Sequence, residues 1–157
     1  VSSSSRITPD DRVQELLIDL PIPAREFAPV LHVREAGKLC VVGSALPYSE
    51  GKLVHRGRVG LEVRLEQGQL AARVAVVQAL GMLHAQFGTL NRVKQIVSLT
   101  GYISAGPEFR DHAKVLDQAS QLLSDVFGGA GHHTRTPIGV SSLPGGACVM
   151  LEVIVTL

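Results

Sequence analysis

The sequence predicts an α+β fold, a mixed β-sheet with two long helices packed on one face. Three observations predict it. The C-terminal residues alternate, with Val149, Leu151, Val153 and Val155 on one side of a strand and Cys148, Met150, Glu152 and Ile154 on the other. Two stretches, about 66–87 and 107–127, space their apolar residues as helices do. A third, about 30–43, reads as a β-hairpin. At 157 residues the chain suits one domain with one sizeable core. That core is expected to be aliphatic, since Trp is absent and aromatics make up 4%.

In order, residues 1–6 read as a Ser-rich, mobile tail. Thr8-Pro9-Asp10-Asp11 reads as a helix start, with Thr8 as cap, Pro9 in the first turn and the acids against the dipole. The short helix runs to residue 17 or 18, and Leu20-Pro21-Ile22-Pro23 forces extended backbone after it. Residues 1–19 are therefore a tail and short helix, and residues 20–157 are the domain.

Strands at 30–34 and 39–43 flank a turn over Glu35-Ala36-Gly37-Lys38, supplied by Gly37. Residues 48–58 read as a surface loop and 59–63 as a short strand. In the long helix at 66–87, Leu70, Val74 and Val77 form one apolar stripe, widened by Val76, Leu80, Leu83 and Phe87. Gly81 inside it costs about 1 kcal/mol relative to Ala, which predicts close approach by another backbone. A strand at 93–103 follows. The second helix, 107–127, carries Phe109, Ala113, Leu116, Ser120, Leu123 and Phe127 on its apolar side and ends at Gly128-Gly129.

Composition excludes several classes. Fifteen basic and fourteen acidic residues give a net charge of +1, without the basic excess of a nucleic-acid binder. The apolar stretches are short and interrupted by Arg and Gln, so no membrane span is expected. No charged start precedes an apolar run, so no signal peptide is expected. Cys40 and Cys148 make neither a disulfide framework nor a metal motif and are expected to be buried, in a cytoplasmic setting. His132 and His133 lack a third ligand at convincing spacing, so no metal and no cofactor is expected.

The last quarter carries the candidate site. Residues 128–157 read as two strands joined by Leu143-Pro144-Gly145-Gly146. On the first, Ile138 and Val140 share the core parity, while Arg135, Pro137 and Gly139 share the other. A lone Arg135 and a lone Glu152 on the non-core faces suit an anion-binding cleft. A solvated sheet face would show the same pattern, and the alternative for Arg135 is a salt bridge with Glu152 or with an acid across an interface.

Gly88-Thr89-Leu90-Asn91-Arg92-Val93, the run Gly128 to His133 before Arg135, Gly139-Val140 with Leu143-Pro144, and the Glu-x-Gly-x-x-Ala-Ala-Arg spacing from Glu66 to Arg73 together resemble the RidA (YjgF-like) superfamily of enamine/imine deaminases. The likeness is greatest to its longer "endoribonuclease L-PSP-like" branch and covers about residues 20–157. It implies a chorismate-mutase-like subunit in a homotrimer with clefts between neighbours. It also implies that Arg135 binds a substrate carboxylate, for which a planar guanidinium is suited. Backbone near Gly43 and Ser44 would line the same cleft.

The chain departs from that pattern at several positions. The family's water-positioning Glu corresponds to Met150, and its edge Tyr corresponds to Phe27. Its Arg-Ser-Cys phrase is Arg135-Thr136-Pro137. Glu152, His133 or the substrate itself would then have to handle protons. The expected partners are a small carboxylate ligand and further copies of the chain, with no nucleic acid and no membrane. Three roles stay open: an imine hydrolase, a non-catalytic carboxylate-binding trimer, and a biosynthetic enzyme with a re-equipped cleft.

Overall fold

The computed structural model describes residues 6–157, so most of the Ser-rich tail lies outside the described residues. The first element is helix α1 (Pro9–Glu15). The Thr8 hydroxyl accepts a hydrogen bond from the Asp11 N–H at 3.2 Å, and the Asp11 carboxylate accepts one from the Thr8 N–H at 3.0 Å. This reciprocal cap satisfies two donors that a helix start leaves orphaned. Asp10 ties α1 to a distant turn: its carboxylate accepts from the Leu90 N–H at 2.8 Å and from the Thr89 hydroxyl.

Strand β1 (Val33–Ala36) turns through Gly37 (φ +63°) into β2 (Leu39–Ala45). Residues 48–58, expected as an open loop, contain a small hairpin of β3 (Tyr48–Ser49) and β4 (Lys52–Leu53). Residues 59–63 form no strand. There Gly60 takes φ +91° and the segment closes on itself through a Gly60 N–H to Val63 carbonyl bond of 2.7 Å.

Helix α2 (Leu65–Phe87) follows and stops at left-handed Gly88. It is long and apolar enough, by length and composition alone, to cross a membrane. Its composition is explained by the sheet it covers, because Ala72, Ala75, Val76, Leu80 and Leu83 are all buried in the core. A Cβ on Gly81 would lie 2.5 Å from the Pro21 carbonyl oxygen. The close backbone approach expected at Gly81 is therefore that of the 20–23 segment crossing the helix.

Strand β5 (Gln95–Ser104) precedes a helix that is broken where the spacing predicted continuity. Helix α3 (His112–Val115) and helix α4 (Asp117–Phe127) meet at Leu116, whose φ −90°, ψ −2° interrupts the ladder. Phe109 precedes both. Beyond α4, a 3₁₀ turn (Gly128–Gly131) leads to β6 (Thr134–Val140), and β7 (Val149–Thr156) ends the fold.

The sheet order is β1-β2-β7-β5-β6, with β5 and β6 parallel and the other pairs antiparallel. The expected hairpin of the last two strands is thereby corrected, because β5 lies between β6 and β7. The chain leaves β5, crosses the sheet through α3 and α4, and returns beside it as β6, as a parallel pair requires. Helices cover one face. On β7, Val149, Leu151, Val153 and Val155 point into that core as the alternation predicts.

Candidate functional site

Strand β6 is an edge strand, and its register with β5 decides which way its side chains point. Arg135 pairs with Leu99, Pro137 with Gly101, and Gly139 with Ile103. Leu99 and Ile103 are fully buried beneath the helices. Arg135, Pro137 and Gly139 therefore lie on the helix-covered side, and a Cβ on Gly139 would meet the His112 ring. Ile138, assigned to the core by parity, is on the open face and 37% exposed. The assignment is reversed because only the short α3 and the start of α4 cover β6, so small and polar residues fill that side.

Arg135 reaches toward α4 and not toward Glu152. Its Nη1 donates to Asp117 Oδ1 at 3.0 Å and to Ser120 Oγ at 3.3 Å. The guanidinium is one-quarter exposed and the Asp117 carboxylate is 55% exposed, so the pair sits at a mouth open to water. Exposed pairs of this kind contribute at most about 1 kcal/mol.

His133, two residues earlier on the same side, continues the chain of contacts. Its Nε2 lies 2.9 Å from Ser120 Oγ and its Nδ1 lies 2.6 Å from the Gly131 carbonyl oxygen. The carbonyl can only accept, so Nδ1 carries the proton. In the neutral ring Nε2 is then an acceptor and the Ser120 hydroxyl donates to it. Gly131 is held against α4 so closely that a Cβ would sit 2.2 Å from the Leu123 carbonyl oxygen. These groups line an open pocket of about 530 Å³, completed by Gln121 and Ser124.

The remaining site residues gather elsewhere. Thr136 pairs with Thr100, and Thr100 pairs with Glu152, so all three form one row across the open face. Met150 pairs with Tyr102 in the adjacent row. Both Met150 and Glu152 are half-buried. Gly43 and Ser44 belong to a bulge in β2 between Val42 and Ala45, and Ser44 takes a left-handed φ of +52°. Phe27 lies on the extended segment before β1 and is 83% exposed. Within one chain, then, Arg135 and His133 share the helix side, while Thr136, Met150 and Glu152 share the other.

Asp117 and Ser120 were missed in the sequence. Asp117 reads as one of several solvated helix charges. Ser120 falls at core spacing, and its signal was chemical: a hydroxyl within an apolar stripe requires a partner.

A family model described as "YjgF/chorismate mutase-like, putative endoribonuclease" matches residues 24–155. The chain is 32% identical over 158 residues to "Protein TCP17" of Trypanosoma cruzi, covering 100% of this chain and 98% of that protein. A solved protein of unknown function from Agrobacterium tumefaciens is 31% identical with a TM-score of 0.88, over 95% of this chain and 92% of the other. A "putative endoribonuclease" from Shewanella oneidensis is 29% identical with a TM-score of 0.91, over 96% and 99%.

Proposed function

Because the chain belongs to the YjgF/chorismate mutase-like family, we propose that it captures a small carboxylate-bearing imine, enamine or related keto acid at Arg135 and hydrolyses the imine. The observation that carries this reading is the Arg135 guanidinium at the mouth of an open pocket, already holding a carboxylate, that of Asp117, at 3.0 Å. A water-exposed side-chain carboxylate is exchanged at little cost for a ligand carboxylate that can take two parallel hydrogen bonds. Charge-assisted bonds of this kind orient the substrate so that water meets the electrophilic carbon.

The active particle is a homotrimer in this reading. The open sheet face supports it: Val41, Tyr102, Ile138, Met150 and Ile154 present apolar groups there among Thr100, Thr136 and Glu152. Ile22, Phe27 and Val30 on the extended N-terminal segment are more than half exposed in the lone protomer. Such apolar surface marks an interface. The Gly43–Ser44 bulge and Phe27 do not line the Arg135 pocket, and in this reading they belong to the contact between copies. Two buried free thiols, Cys40 and Cys148, support a reducing, cytoplasmic setting.

Met150 favours a second reading. A thioether neither accepts a proton nor orients water, so the same trimer would bind a keto acid without turning over an imine. Two measurements decide. Titration with pyruvate is expected to saturate the wild type and to fail with Arg135→Ala; equal binding by both overturns the clamp. Ammonia release from 2-aminoacrylate separates hydrolase from binder.

A further inference from the structure

Arg135, Ser120, His133 and the Gly131 carbonyl form one directed chain of hydrogen bonds, and it ends in the pocket. Arg135 Nη1 donates to Ser120 Oγ at 3.3 Å; Ser120 Oγ donates to His133 Nε2 at 2.9 Å; His133 Nδ1 donates to the Gly131 carbonyl at 2.6 Å. A hydroxyl against an imidazole that is itself fixed by a third group is an arrangement built for moving a proton. The fixing group is rigid here, because Gly131 is pressed onto the Leu123–Ser124 backbone of α4.

We propose that Ser120 and His133 are the proton-transfer pair of this site, acting on the imine whose carboxylate Arg135 holds. This rests on the reading of Arg135 as the clamp. It assigns to the helix side the work that Met150 cannot do on the open face.

The steps balance as follows. Water attacks the carbon of the protonated imine. Its proton passes to Ser120 Oγ as the Ser120 proton moves to His133 Nε2, leaving a neutral carbinolamine and an imidazolium. The imidazolium returns the proton through Ser120 to the amine nitrogen. The C–N bond then breaks, its electron pair leaves on nitrogen as ammonia, and the carbinol O–H proton passes to that ammonia. The products are a keto acid and ammonium.

The charged and titratable groups lining the same pocket are Asp117 from α4, His132 from the turn and Arg135 from β6. Asp117 is hydrogen-bonded to the guanidinium, which leaves the imidazole facing a neutral hydroxyl.

The test compares wild type, Ser120→Ala, Ser120→Thr and His133→Gln, each checked for folding by circular dichroism. Pyruvate affinity and ammonia release from 2-aminoacrylate are measured across pH. Ser120→Ala and His133→Gln are expected to lower kcat by about 100-fold or more while pyruvate affinity stays within about three-fold. Ser120→Thr, which keeps the hydroxyl, restores part of the rate, and the acidic limb of the kcat profile vanishes in His133→Gln. Nitrogen-15 spectra of the wild type should show the proton on His133 Nδ1.

Unchanged kcat in both Ser120→Ala and His133→Gln overturns the pair and leaves the clamp standing. So does pyruvate binding without turnover by the wild type. Absence of pyruvate binding to the wild type overturns the clamp and the pair together.

Discussion

The two faces of the sheet are built from the same strands and do opposite work. On the covered face, Arg135 from β6 and His133 just before it meet Asp117 and Ser120 from α4, so these four side chains are partnered within one chain. On the open face, Thr100, Thr136, Met150 and Glu152 stand in rows without a covering layer. One face is preorganised; the other is left without a covering layer. Where the open face carries Met150, the covered face carries a hydrogen-bonded set of Arg135, Asp117, Ser120 and His133.

The largest expected effect breaks the open face. Ile154→Lys places a charge in its apolar rows and is expected to turn the proposed trimer into monomers, read by light scattering. Retention of the His133 spectrum in that monomer would show that the helix side is self-sufficient. Next, Glu152→Gln is expected to change kcat for 2-aminoacrylate by less than about three-fold, against the roughly 100-fold expected at Ser120 and His133. A large loss at Glu152 would mean that the two faces cooperate across subunits.

Asp117→Asn removes the competing carboxylate and should tighten pyruvate binding by about two- to five-fold, the reach of an exposed ion pair. Weaker binding would recast Asp117 as the group that aims the guanidinium. The smallest effect concerns the covered core itself. Burial pushes the Cys148 thiol up to about 11 from its ordinary 9.0. The folded state therefore keeps a proton that the unfolded chain gives up above pH 9. Its contribution to stability is present below that pH and is lost as pH rises toward 11. Folded protein should resist thiol reagents at pH 8 and react after denaturation.

Much of the fold is legible because it follows from period and punctuation. The alternation of β7, the span of α2 ending at Gly88, and the close approach at Gly81 all carry local signals. The C-terminal quarter misleads because its signals are also local. Alternation along β6 separates Arg135, Pro137 and Gly139 from Ile138 but does not say which side a helix will cover. Nor does a Leu-Pro-Gly-Gly turn say that β5 will come between the strands it joins. Both depend on contacts far apart in sequence. The break at Leu116 is similar: the apolar spacing runs through it, and only packing against Gly101 shows the constraint, since a Cβ there would strike the Leu116 methyls at 2.5 Å. His133 was visible as a residue but not as half of a pair, because Ser120 sits thirteen positions away inside an apolar stripe.

Pro137 lies in the middle of β6, the outermost strand on that side of the sheet. A proline offers no amide proton, so the rim of the sheet is missing a donor where an incoming strand would need one. Edge-to-edge addition of chains into a continuous ribbon, the route by which exposed strands seed aggregates, is blunted at that margin. The open sheet face, and not this rim, is thereby left as the surface through which the proposed trimer would close.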